Sequence, residues 1–134
     1  MEEEADVDID WAQGQGESIL IVEDNTSLRA LARELLSDAG YQCTEAEDVD
    51  AALRVLRGDS AIHLLLTDVG LPGMNGRQLA EAARAWRPAL PILFMTGYAE
   101  SALTNNELLD EGMDILIKPF EIEQLLSKVR GMLA

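Results

Sequence analysis

Short apolar runs alternate along the chain with stretches whose apolar residues recur at helical spacing. Five runs, each of strand length, cover residues 19–22, 41–46, 62–66, 91–95 and 115–117. Helical spacing covers residues 26–39, 48–57, a stretch carrying Leu79, Ala82, Ala83 and Trp86 that Pro88 ends, residues 100–111, and a final stretch from Ile122 to Leu133. The pattern predicts five strands and five helices in alternation.

Strict alternation with short connections predicts an α/β fold in which helices cover both faces of a parallel sheet. Among the topologies that right-handed crossovers allow, a single doubly wound (βα)5 domain with the flavodoxin-like strand order 2-1-3-4-5 fits best. That order places the second and fifth strands at the edges, and these runs are the most polar and the shortest. In such sheets ligands bind beyond the carboxyl ends of the strands.

Negative charge is concentrated at the amino end of the chain. The formal net charge is −15, and residues 1–17 carry seven acidic residues and no Lys or Arg. We therefore predict a flexible, solvated acidic tail or linker over residues 1–17 and a folded domain over residues 18–134. So acidic a chain is poorly suited to nucleic-acid phosphates, and direct nucleic-acid binding is not expected.

Neither a membrane segment nor a secretory signal is visible. No apolar run reaches the ~20 residues that a membrane helix needs, and the amino end is acidic where a signal peptide is basic. The single cysteine, Cys43, cannot form an internal disulfide, and the single histidine, His63, lies within an apolar run. We expect a cytoplasmic protein without membrane insertion.

Polar residues with related chemistry follow four of the predicted strands. They are Glu23 and Asp24 after the first, Asp68 after the third, Thr96 after the fourth and Lys118 after the fifth. Three of these residues have a plainer explanation when taken singly. Asp24 could cap the following helix, although Asn25 or Thr26 could do so equally well. Asp68 could be a loop aspartate and Lys118 an exposed lysine. Together, however, these residues form one coherent set at one edge of the sheet.

The set suits a divalent cation and a phosphoryl group. Two carboxylates about 4 Å apart repel by roughly 4 kcal/mol at an effective dielectric near 20, and a cation removes that repulsion. Mg²⁺ prefers such oxygen ligands, here Asp24, Asp68 and a loop carbonyl, with Glu23 binding directly or through water. Lys118 would neutralise the transferring oxygens, and Thr96 and backbone N–H groups near Gly97 would hydrogen-bond them.

Over residues 18–134 the sequence closely resembles the receiver domains of response regulators. The matching segments are Ile21-Val22-Glu23-Asp24-Asn25, Leu66-Thr67-Asp68 with the loop to Gly76, Phe94-Met95-Thr96-Gly97-Tyr98-Ala99 and Ile117-Lys118-Pro119-Phe120. The resemblance implies that Asp68 is phosphorylated, that Glu23, Asp24 and the Gly70 carbonyl serve the metal, and that Thr96 and Lys118 contact the phosphoryl group. It also implies a cis Lys118–Pro119 peptide. The loop after Asp68 and the segment Thr96-Gly97-Tyr98-Ala99-Glu100 are most like those of receivers in hybrid sensor histidine kinases.

The resemblance implies a phosphoacceptor rather than an enzyme, one that assists its own Mg²⁺-dependent phosphorylation and autodephosphorylation. The partners would be a sensor histidine kinase or a histidine phosphotransfer protein, with room for a phosphorylation-dependent homodimer. With no DNA-binding domain after Ala134, output would be protein–protein contact or onward transfer. Most receivers carry a Tyr or Phe where Ile115 stands, and a larger side chain where Gly70 stands.

Two alternatives stay open. The first is a hydrolase that uses Asp68 as a transient nucleophile, similar to the haloacid dehalogenase phosphatases. Those enzymes carry a second Asp two residues after the nucleophile, where this chain has Gly70. The second is a pseudo-receiver that is never phosphorylated and acts only as an interaction module.

Overall fold

The computed structural model describes residues 14–70, 75–97 and 111–133. Within these residues the strands are β1 (Ser18–Val22), β2 (Gln42–Ala46), β3 (Leu64–Asp68), β4 (Ile92–Thr96) and β5 (Met113–Ile117). The helices are α1 (Thr26–Asp38), α2 (Val49–Arg57), α3 (Gly76–Trp86) and α4 (Ile122–Leu133). Residues 1–13, the loop at 71–74 and nearly all of the helix predicted at 100–111 lie outside the described residues.

The strands form one parallel sheet in the order β2-β1-β3-β4-β5, which confirms the predicted topology. The three inner strands are buried almost throughout, whereas the edge strand β2 is largely exposed and β5 is half-buried. This distribution explains the pattern in the sequence. Strands covered on both faces are continuously apolar, and edge strands tolerate polar residues.

Each strand differs from its predicted range by one or two residues at one or both ends, and the largest differences are in β3 and β5. Strand β3 runs to Asp68 rather than ending at Leu66, because Thr67 and Asp68 still pair with residues of β4. Strand β5 begins at Met113 rather than Ile115 and is therefore as long as the other strands, because Met113 and Asp114 pair with residues of β4. Backbone pairing with the neighbouring strand, and not apolarity, sets these ends.

Helices cover both faces of the sheet, and successive strand residues point to opposite faces. Leu20, Leu65 and Phe94 belong to the core cluster that packs with α2 and α3. Ile21 and Leu66 belong to the cluster that packs with α1 and α4. The residues named here have no exposed surface. Burying a side chain of this size contributes roughly 1.5–3 kcal/mol, so the two clusters hold the strand ends in a fixed arrangement.

Three large apolar side chains on the predicted helical faces are exposed instead. Leu31, Trp86 and Ile122 are 49%, 46% and 45% exposed. The buried stripe of α1 is centred on Ala32 and Leu36, so Leu31 is turned away by about 100°. The Trp86 ring lies on the surface beneath the Arg57 guanidinium, at 5.5 Å from its centroid.

Residues 14–17, which fall within the predicted tail, contact the domain. The Gly14 and Gly16 N–H groups donate to the carbonyls of Ala39 and Gly40, at 2.6 and 2.9 Å. The Glu17 carboxylate lies 3.4 Å from the Arg130 guanidinium of α4. The chain is therefore hydrogen-bonded to the domain from Gly14 onward.

Within the described parts of the chain, no helix has both the length and the apolarity needed to cross a bilayer. The longest of the described helices, α1, has 13 residues.

Candidate functional site

Asparagine side chains cap the helices that follow β1 and β3. The Asn25 side chain accepts from the Leu28 N–H at 2.9 Å and caps α1. Asn75 caps α3 in a capping box with Gln78. Because Asn25 is the cap, the Asp24 carboxylate is not needed for that role. This settles in favour of Asn25 the choice between cap residues that the sequence leaves open.

The sheet brings the predicted acidic residues together at the carboxyl ends of β1 and β3. Each of Glu23, Asp24 and Asp68 offers a carboxylate oxygen, and these oxygens all lie within 4.8 Å of one another. Glu23 is buried, Asp68 is half-buried and Asp24 is exposed. The cluster therefore reaches from the interior of the sheet to its surface.

Lys118 bridges two of the three acidic residues. Its Nζ is 3.2 Å from Glu23 Oε1 and 3.3 Å from Asp68 Oδ1. Its backbone is fixed because the Lys118 N–H donates to the Thr96 carbonyl at 2.8 Å. The following peptide, Lys118–Pro119, is cis, as the resemblance implies. The ammonium offsets part of the negative charge of the three acids.

Asp68 is the last residue of β3, and its surroundings are well ordered by hydrogen bonds. Its Oδ1 accepts from the Gly70 N–H at 3.4 Å as well as pairing with Lys118. The Val69 carbonyl accepts from the Gly76 N–H at 2.8 Å, which connects the end of β3 to the start of α3. A Cβ at Gly76 would press against the Asp68 carbonyl oxygen and lie 2.9 Å from Val69 Cα. A glycine is therefore required where α3 begins.

Burial is the main influence on the Glu23 carboxyl. It raises the pKa of Glu23 above its usual value, and the charge of Asp68 and the nearby Asp24 carboxyl act in the same direction. The Asn25 N–H, which donates to Glu23 Oε2 at 3.1 Å, and the Lys118 ammonium oppose the rise in pKa. Burial and two neighbouring acids disfavour the ionised form of this carboxyl, and a bound cation would favour it.

Thr96 and Gly70 are less directly connected to the acidic cluster. Thr96 is buried at the end of β4, and its hydroxyl donates to the Gly97 carbonyl at 3.2 Å. Gly70 is exposed, and its described contact with the site is made by its N–H and not by its carbonyl. Both residues lie at the predicted edge of the sheet.

The donor set fits a hard divalent cation. Three carboxylates that converge within 4.8 Å supply the oxygen ligands that Mg²⁺ prefers. Exposure of Asp24 leaves room for the several water molecules that Mg²⁺ usually retains. Glu23, Asp24 and Asp68 are therefore the residues that would hold the metal.

Sequence reasoning missed one residue beside the site. Arg29 of α1 donates from Nη1 to the Glu23 carbonyl oxygen at 2.7 Å. A cation in the first turn of a helix is opposed by the helix dipole. This position is only a weak signal in the sequence, and it does not identify the partner.

Comparisons with known proteins agree with one another. The family model described as "Response regulator receiver domain" matches residues 19–130. The chain is 36% identical over 111 residues to the response regulator protein FleR of Pseudomonas aeruginosa, a match that covers 83% of this chain and 23% of FleR. It is 34% identical over 115 residues to the response regulator receiver protein CpdR of Brucella abortus, covering 86% of this chain and 95% of CpdR.

A solved structure shows the same likeness. The crystal structure of the receiver domain from the hybrid histidine kinase CckA matches with a TM-score of 0.74 and 32% identity. The match covers 87% of this chain and 99% of that one. The expected similarity to receivers of hybrid kinases is thus confirmed.

Proposed function

The chain belongs to the response regulator receiver domains, the phosphoacceptors of two-component signalling, and we propose that Asp68 is the residue that accepts the phosphoryl group. The observation that carries the proposal is the position of its carboxylate. Asp68 lies 3.3 Å from the Lys118 ammonium, and its carboxylate converges with those of Glu23 and Asp24. A half-buried carboxylate that contacts an ammonium and belongs to a cluster suited to a divalent cation is well placed to attack a charged phosphoryl group.

In the proposed transfer, an Asp68 carboxylate oxygen attacks the phosphorus of a phosphohistidine. The P–N bond breaks, and the imidazole nitrogen leaves with the electron pair. Lys118 already contacts Asp68 and would neutralise the oxygens that gain charge. The Thr96 hydroxyl and the nearby N–H groups would donate hydrogen bonds to them once the hydroxyl turns from the Gly97 carbonyl.

Glu23, Asp24, Asp68 and the Gly70 carbonyl would hold Mg²⁺. When bound, the ion supplies positive charge to the transferring phosphoryl oxygens and cancels the repulsion among the carboxylates. Glu23 would anchor the set from the interior, because both of its oxygens already accept hydrogen bonds. Slow autodephosphorylation would use the same residues with water as the nucleophile.

The partners and location are also proposed. The phosphoryl donor would be a sensor histidine kinase or a histidine phosphotransfer protein in the cytoplasm. Output would be protein–protein contact, onward transfer or a phosphorylation-dependent homodimer, without direct nucleic-acid binding by so acidic a chain. The chain spans only about a quarter of FleR but nearly all of CpdR, so relatives differ in the domains that accompany the receiver.

The test is transfer of radioactive phosphate from a phosphohistidine donor to the full chain. Asp68→Asn should abolish labelling without unfolding the domain, because the amide is nearly isosteric with the carboxylate but is not a competent nucleophile. Asp59→Asn, which changes an exposed loop aspartate, is the matched control and should label like the parent. Full labelling of Asp68→Asn would place the acceptor elsewhere. Absence of labelling in the parent would favour a pseudo-receiver.

A further inference from the structure

Both peptide groups that flank Asp24 are held by hydrogen bonds. The Glu23 carbonyl oxygen accepts from Arg29 Nη1 at 2.7 Å. The Asn25 N–H donates to Glu23 Oε2 at 3.1 Å. The Asp24 side chain itself is exposed, so its direction depends on the orientation of these two peptide groups. Arg29 supplies the side-chain contact that fixes the first of them.

The Arg29 guanidinium is itself held in place from β2. Its Nε lies 3.0 Å from Glu45 Oε1, and Arg33, one helical turn later, places its Nε 2.9 Å from Glu45 Oε2. Glu45 pairs with Ile21 of β1, which fixes it relative to the strand that leads into the site. The network thus connects the edge strand β2, the first turn of α1 and the end of β1.

Arg29 and Arg33 differ in a way that separates stability from positioning. Both pair with Glu45, but the Arg29 side chain is 12% exposed and that of Arg33 is 42% exposed. If Arg29 served only as an ion-pair partner of Glu45, it would make no contact beyond the one that Arg33 also makes. Exposed ion pairs of that kind contribute little to stability. Arg29 directs a second arm of its planar guanidinium to a backbone carbonyl, which a rigid fork of donors allows.

We infer that Arg29 is a positioning residue of the metal site. Held by Glu45, it fixes the Glu23–Asp24 peptide and thereby the directions of both carboxylates. The inference rests on the proposed function, because it requires that these carboxylates hold Mg²⁺. Removing a residue that orients metal ligands typically weakens metal binding by about 10–100-fold. Arg29 acts through the backbone and not on a ligand oxygen, so we expect the lower end of that range.

The test compares two arginine variants of the full chain by isothermal titration calorimetry with Mg²⁺ alone. Arg29→Met keeps an unbranched apolar side chain but removes every donor, and it should weaken Mg²⁺ binding about tenfold. Arg33→Met is the matched control, since it removes an ion pair with the same Glu45 but no contact with Glu23. Its affinity should stay within about twofold of the parent, as for other exposed pairs. Urea unfolding is measured in parallel, so that binding is compared only among folded proteins.

Each other outcome overturns the inference. An Mg²⁺ affinity of Arg29→Met equal to that of the parent, or an equal loss in both variants, would show that the contact with Glu23 does not position the ligands. A parent that binds no Mg²⁺ would overturn the metal-assisted function as well, and this is seen before any variant is compared. If Arg29→Met does not fold, Glu45→Ala takes its place. That variant releases Arg29 from β2, and an affinity unchanged from the parent would refute the positioning role.

Discussion

Asp24→Asn should have opposite effects on stability in the absence and in the presence of Mg²⁺. The substitution is nearly isosteric and removes one negative charge from a cluster of three carboxylates within 4.8 Å. Asp24 is exposed and does not cap α1, so the change removes little packing and no cap. Without metal, the variant should be more stable than the parent, because two repulsive pairs are lost.

The magnitude follows from the separation of the charges. Two unit charges 4.8 Å apart interact by about 0.9 kcal/mol in water and about 3.5 kcal/mol at an effective dielectric near 20. The exposure of Asp24 places its two pairs, with Glu23 and Asp68, toward the lower value. We expect a gain of about 1–2 kcal/mol in the free energy of unfolding, or roughly 3–8 °C in melting temperature for a chain of this size.

Bound Mg²⁺ reverses the order. At a hundredfold excess over Kd, a ligand that binds only the folded state stabilises the parent by about 2.7 kcal/mol. Asp24→Asn lacks a charged ligand and should lose most of that gain. Its melting temperature should therefore be nearly independent of Mg²⁺, and the two titration curves should cross.

The assay is calorimetric or fluorescence-monitored melting, from chelator-treated protein to millimolar Mg²⁺. Asp59→Asn, an exposed aspartate in the loop after α2, controls for the change in net charge and should follow the parent. A melting temperature of Asp24→Asn below that of the parent without metal would contradict this prediction. An equal rise in both melting temperatures on adding Mg²⁺ would contradict it as well.

Two further predictions concern the amino-terminal contact and the response to phosphorylation. The Gln15 N–H, above all, and then the Arg130 guanidinium hold the pKa of Glu17 below its usual value. Ionised Glu17 therefore stabilises the fold above the ordinary carboxyl pKa, so Glu17→Gln should cost about 0.5–1 kcal/mol near neutral pH and nothing once the pH falls below the folded-state pKa, as urea unfolding at several pH values will show. Ile115 pairs with Phe94 and already packs against the core. Because its β-branched side chain is stiff, we expect it to move little on phosphorylation. The changes in amide chemical shift on adding beryllofluoride and Mg²⁺ should therefore be smaller at Ile115 and in α4 than at the ends of β3 and β4. Large shifts throughout α4 would show that β5 carries the response without an aromatic ring.

The topology could be predicted because each level of the sequence points to the same answer. Continuous apolar runs mark the three inner strands, and polar interruptions mark the edge strand β2. The ends of the strands were harder to predict, since Thr67 and Asp68 continue β3 by pairing with β4 although their side chains are polar. A strand ends where its neighbour stops offering hydrogen bonds, and the sequence of one strand does not show where that is.

The convergence of Glu23, Asp24, Asp68 and Lys118 was predictable for a similar reason. Parallel strands present their carboxyl ends at one edge, so residues that follow different strands must meet there. The sequence did not distinguish which neighbour would cap α1. Asp24 and Asn25 are both good caps, and the choice of Asn25 becomes visible only in its hydrogen bond to the Leu28 N–H.

The role of Arg29 could not be predicted from the sequence, because it depends on the alignment of three separate elements. Glu45 reaches it only because β2 pairs with β1 so that Glu45 stands opposite Ile21. A shift of one residue would turn the Glu45 side chain to the other face of the sheet. Sequence periodicity assigns Arg29 to a helix and Glu45 to an edge strand, but it does not specify the register between two strands that are joined by a helix. Contacts from side chain to backbone across such a register are therefore where a structure adds most to a well-predicted fold, and here they lead directly to the acidic residues of the acceptor site.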